Sequence, residues 1–113
     1  MGWQIHTVVN EGNITAEHES KLNELGDKEG FYFESTGGFP MDPDAMEHAD
    51  YLGHAWFVDF IKENPDIKGT VIWNSNEGDN SGEHWGYEIS EGVVTFINKY
   101  DCLRILLERE QNA

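Results

Sequence analysis

Glu47, Asp50 and His54 stand at i, i+3 and i+7, a spacing that sets two carboxylates and an imidazole along one side of a helix. That donor set suits a divalent transition metal. A closed site needs a further ligand, and Glu83 with His84 supplies one only if the loop before them packs against the same helix. HExxH is absent, and His48 and His54 are six apart, which puts them on different faces. The expectation is therefore a solvated acidic face with no resident metal. Glu47, Asp50 and His54 are the residues a metal would use.

Other chemistry is as sparsely provided. The stretch Asn74–Asp79 has some oxygen donors of a calcium loop but lacks the ordered D-x-[DN]-x-[DN]-G and the bidentate Glu at the twelfth place. Cys102 is the single cysteine, which excludes an internal disulfide and a thiolate zinc knuckle. Asp101 beside it raises its pKa, so it reads as a small packing group and not a nucleophile. No GxSxG elbow, P-loop or GxGxxG is present. The sequence thus points to no enzyme and no cofactor.

Charge is the strongest signal. Twenty-two Asp and Glu face seven Lys and Arg in 113 residues, a formal charge of −15. Such a surface repels nucleic acid and anionic lipid and attracts a basic protein. No apolar run approaches the roughly 20 residues of a membrane span, and the start MGWQIHT lacks signal-peptide features, so a cytoplasmic, soluble protein is expected. From Glu29 to Ile61 there is no Lys or Arg, and from Gly69 to Asn98 there is again none. If these two stretches fold onto one side they make a continuous negative face. Asp42, Asp44, Glu47 and Asp50, with Glu77, Asp79 and Glu83, are the expected partner-binding residues, each standing in for a phosphate against Lys or Arg.

In size and charge, though in no quotable motif, the chain is similar to nucleic-acid mimics, a class often carried by phages to block DNA-handling proteins. That likeness implies a non-enzymatic inhibitor that occupies the basic surface of a nucleic-acid-binding protein. The alternatives are a small metal-binding protein or metal-dependent enzyme, and a structural or assembly subunit. Tyr32, Tyr51 and Trp85 become interface anchors if they stand outward beside acid, because Trp and Tyr dominate interface hot spots.

The elements that must position these residues follow from periodicity. Trp3 to Val9 reads as a strand. Thr15 caps a short helix carrying Glu17 and Glu19 in its first turn, His18, Leu22 and Leu25 on one stripe, and Gly26 as its stop. Phe31 to Ser35 is a second strand. Asp42 caps and Pro43 opens the longest helix, which runs to about Asn64 and presents Met46, Ala49, Leu52, Gly53, Trp56, Phe57 and Phe60 on one face. Ile67 to Trp73, His84 to Ile89 and Val93 to Ile97 are strands, the last two joined at Glu91-Gly92, and Asp101 caps a short final helix. The predicted class is α+β in one domain over residues 1–113: a mainly antiparallel sheet of four to five strands, two main helices on one face and a short C-terminal helix.

Overall fold

The structure, a computed structural model, describes residues 5–41, 51–75 and 83–112. Strand β1 (Ile5–Gly12) is followed by helix α1 (Ala16–Lys28), a 3-10 turn (Tyr51–Gly53), helix α2 (Ala55–Glu63), strands β2 (Gly69–Ser75), β3 (Glu83–Ser90) and β4 (Val93–Ile97), and helix α3 (Lys99–Gln111). The four strands form one antiparallel sheet in chain order, which with the three helices makes an α+β architecture. β3 and β4 are joined by Glu91-Gly92, both at positive φ, as a two-residue hairpin of right-handed twist demands. A register shift between Thr7 and Val9 places a bulge at Val8.

Side-chain alternation divides the packing. Val71 and Trp73 of β2 and Tyr87 and Ile89 of β3 join Leu22 of α1 and Phe57, Phe60 and Ile61 of α2 in the larger cluster. Ile72, between Val71 and Trp73 and so on the other side of β2, joins Val9, Ile97 and Cys102 in a second cluster, with Ile105 and Leu106 of α3 packed against it. Each large side chain buried in this way contributes about 1.5–3 kcal/mol. Phe39 is fully buried in the larger cluster although it lies in a loop. Asn10 of β1 holds it there: the Asn10 amide donates to the Phe39 carbonyl at 2.9 Å, and Asn10 Oδ1 accepts from the Phe39 N–H at 2.9 Å.

Several sequence expectations are corrected. The helix expected to run unbroken to Asn64 is interrupted before α2: Tyr51–Gly53 is a 3-10 turn and His54, at φ −76° and ψ 147°, is an extended N-cap. On an unbroken helix, at about 100° per residue, Tyr51 would lie opposite Phe60. The interruption lets both be buried, Tyr51 to 0% exposure. Phe31 to Ser35 forms no ladder strand among the described residues, where a single bridge joins Glu34 to Met41. Gly26 does not stop α1. It lies inside the helix because a Cβ there would meet the Phe33 ring at 2.4 Å. Gly30, at φ +84°, is the residue that turns the chain out. Phe31 N–H donates to the Gly26 carbonyl at 2.8 Å and Gly30 N–H to that of Asp27 at 3.2 Å, the paired bonds of a Schellman ending. The last segment is a 13-residue helix, not a short one, and its cap is Asn98, whose side chain accepts from Asp101 N–H at 2.9 Å. Thr15 caps α1 as its position suggests, and His18 closes the box by accepting from Thr15 N–H through Nδ1.

Candidate functional site

The Schellman turn folds residues 31–33 back beside the last turns of α1. In this extended tripeptide Phe31 and Phe33 are half-buried, while Tyr32 is 64% exposed. Phe31 and Phe33 stack with centroids 5.8 Å apart and planes 16° from parallel. Behind them Tyr51 lies 4.5 Å from Phe33, Trp56 lies 5.7 Å from Phe31, and Tyr51 and Trp56 are themselves stacked. Together the two stacked pairs form an aromatic plate. Tyr51 Oη and Trp56 Nε1 are buried in it without a hydrogen-bond partner among the described residues, an arrangement that costs roughly 1–3 kcal/mol per group. Burial holds the Tyr51 phenol far above its ordinary pKa, so it stays neutral.

In front of the plate is an open notch of about 380 Å³ lined by Asn23, Glu24, Asp27, Phe31, Tyr32 and Phe33. Its walls are carboxylates and ring faces. It also lies at the C-terminal end of α1, where the helix dipole is negative. All three features favour a cation: ring quadrupoles attract ammonium or guanidinium groups, carboxylates pair with them, and the dipole adds to both. Lys21 Nζ sits 3.8 Å from Glu24, an exposed i,i+3 pair worth about 0–1 kcal/mol. Asp27 makes no ion pair among the described residues.

The structure sorts the three candidate anchors. Tyr32 stands outward beside acid; Tyr51 is buried in the plate; Trp85 is half-buried against Trp73, 6.3 Å between centroids. Glu24 and Asp27 escaped sequence analysis because nothing local tells that a helix end and the next tripeptide will meet. The signal available was Gly30 followed by an alternating Phe-Tyr-Phe.

Of the residues expected to bind a partner, Asp42, Asp44, Glu47, Asp50, Glu77 and Asp79 lie outside the described residues. Glu83 opens β3, exposed. His54 is exposed, with its ring 5.3 Å from Phe31 and nearly perpendicular to it. Its backbone is extended, as the N-cap of α2. Among the described residues no group of three His, Cys, Asp or Glu is placed to hold a metal ion. Cys102 is buried, and desolvation, then the Asp101 charge, pushes its thiol up to about 11. Its Sγ lies 3.9 Å from the Ile97 carbonyl, so it serves the core.

A second groove of about 340 Å³ between α1 and α2 is lined by Glu17, His18, Lys21, Phe60, Glu63 and Asn64. It mixes both signs of charge, and His18 there is committed to the cap. No family model, no curated protein and no solved structure matches the chain.

Proposed function

We propose that this protein is a non-enzymatic acidic binding module that occupies the basic surface of a nucleic-acid-binding protein in the cytoplasm and inhibits it by occlusion. The observation that carries the reading is the Tyr32 notch: an exposed ring between Phe31 and Phe33 of the aromatic plate, walled by Glu24 and Asp27, on a chain of charge −15. An arginine from the partner stacks on Tyr32 while pairing with Asp27, and the surrounding carboxylates steer it in. In this reading α1 and α2 ride together on one face of the sheet, and Asp42, Asp44, Glu47, Asp50, Glu77, Asp79 and Glu83 add further carboxylates to the contact with the partner. The scarcity of competing base supports it as well. Arg104 pairs with Asp101 and Glu108, and Arg109 with Glu11, so both arginines are neutralised within the chain.

Titration calorimetry with arginine-rich and lysine-rich peptides of equal charge tests this. The arginine peptide binds more tightly, both weaken with salt, and Tyr32→Ala with Asp27→Lys removes the arginine preference, with a loss of roughly tenfold or more. Reversing Asp42, Asp44, Glu47, Asp50, Glu77 and Asp79 together abolishes binding of either peptide. Equal affinity for the two peptides, or binding that survives the sixfold reversal, defeats the proposal.

A further inference from the structure

The stripe along α3 that faces away from the sheet is apolar. Cys102, Ile105 and Leu106 turn inward to the second cluster. Tyr100, Leu103 and Leu107, at i, i+3 and i+7, are 80%, 41% and 55% exposed. Unlike α1, where Glu17, Glu19, Glu24 and Asp27 outnumber Lys21 and Lys28, this helix is charge-balanced: Lys99, Arg104 and Arg109 against Asp101, Glu108 and Glu110. Four of those six are used within the chain, Arg104 with Asp101 and Glu108, and Arg109 with Glu11. Lys99 and Glu110 make no ion pair among the described residues. They stand at opposite ends of the helix and eleven residues apart, so at about 100° per residue they share one flank of the stripe.

We propose that α3 pairs with α3 of a second copy of this chain in antiparallel orientation. A two-fold axis near the middle of the helix sets Leu103 against Leu107 of the other copy, twice, and Lys99 against Glu110 of the other copy, twice. The strip is therefore complementary to itself in apolar pattern and, along the Lys99–Glu110 flank, in sign of charge, as a closed two-fold interface requires. Two chains of charge −15 also approach at less electrostatic cost through this balanced helix than through the acidic α1. A basic partner gains little on this neutral stripe. Thirteen residues span about 20 Å, which places the contact at the small end of interfaces, so the dimer dissociates on dilution.

Sedimentation equilibrium over a concentration series decides the matter. The native chain moves from monomer to dimer mass as concentration rises. Leu107→Glu stays monomeric up to about 500 µM, as expected when an interface this small loses its apolar centre. Lys99→Glu weakens the dimer roughly tenfold, and Lys99→Glu/Glu110→Lys restores it. Lys99→Glu puts acid in the first helical turn and Glu110→Lys puts base in the last, so neither weakens the helix itself. Circular dichroism of Leu107→Glu, whose site is exposed, verifies its fold. A mass fixed at that of the monomer at every concentration, as a stripe meant for another protein would give, overturns the proposal. So does a dimer unaffected by Leu107→Glu, or a double charge swap that behaves like Lys99→Glu alone.

Discussion

The two sides of the sheet are packed with different materials and carry different electrical loads. On one side the cluster is aromatic, with Trp73, Tyr51, Phe39, Phe57, Phe60 and Tyr87 in it, and the notch near it is walled by carboxylates. On the side of α3 it is aliphatic, built on Val9, Ile72, Ile97 and Cys102, beneath a helix of balanced charge. Large flat rings lock one another in place, and a locked plate is what a binding notch needs. Small aliphatic groups fix a helix with fewer constraints and leave its outer stripe uncommitted. One short chain thus keeps an acidic aromatic site and a neutral apolar strip from interfering, by giving each its own layer.

The contrast is open to breaking, first through stability. Phe57→Ala is expected to cost about 3–5 kcal/mol and Ile72→Ala about 2–3 kcal/mol, read from urea unfolding midpoints. A larger loss at Ile72 would make the aliphatic side the principal core. Next comes Gly26→Ala, which raises intrinsic helix propensity by about 1 kcal/mol and yet drives a methyl into the Phe33 ring. The net expectation is destabilisation of about 1–3 kcal/mol together with weaker peptide binding at the notch, since the plate must shift. The smallest effect belongs to Arg109, which ties α3 to β1 through Glu11. Its hydrogen bond, and then its charge, holds the Glu11 carboxyl below the usual range. A depressed carboxyl pKa contributes stability that is present above the unfolded-state value and lost as pH falls through the folded one. Arg109→Ala therefore lowers stability slightly at neutral pH and flattens the acid limb of a melting-temperature profile. Because both groups are exposed, added salt shrinks the difference.

Much of the architecture was legible in the residues. β-branched and aromatic alternation marks β2, β3 and β4, Glu91-Gly92 marks their hairpin, and Thr15 marks the start of α1. Two of the features that escaped share one cause: a distant ring overruling a local preference. Gly26 is a helix breaker by propensity, but it is retained inside α1 by Phe33 approaching from seven residues on. Tyr51 and His54 belong to a helical pattern, but burying Tyr51 alongside Phe60 requires a break between them. Phe31 to Ser35 has strand composition and no partner strand among the described residues, where its start lies against a helix end. The candidate site was legible only as a type, aromatic beside acid. Its actual walls come from that same unforeseen meeting of α1 with the tripeptide, and Asp42 to Asp50, Glu77 and Asp79 lie outside the described residues.

The Asn10 clasp extends the sheet's influence into a segment that has no ladder of its own. Because the Phe39 amide is bonded to a strand side chain at 2.9 Å, its proton should exchange with deuterium as slowly as protons of the β1–β2 ladder, far more slowly than its loop neighbours. The same dependence makes the loop vulnerable to chemical ageing. Deamidation of Asn10 to Asp would keep the acceptor for Phe39 N–H, delete the donor to the Phe39 carbonyl, and set a negative charge against that oxygen, unlatching residues 36–39 through the loss of a single amide nitrogen.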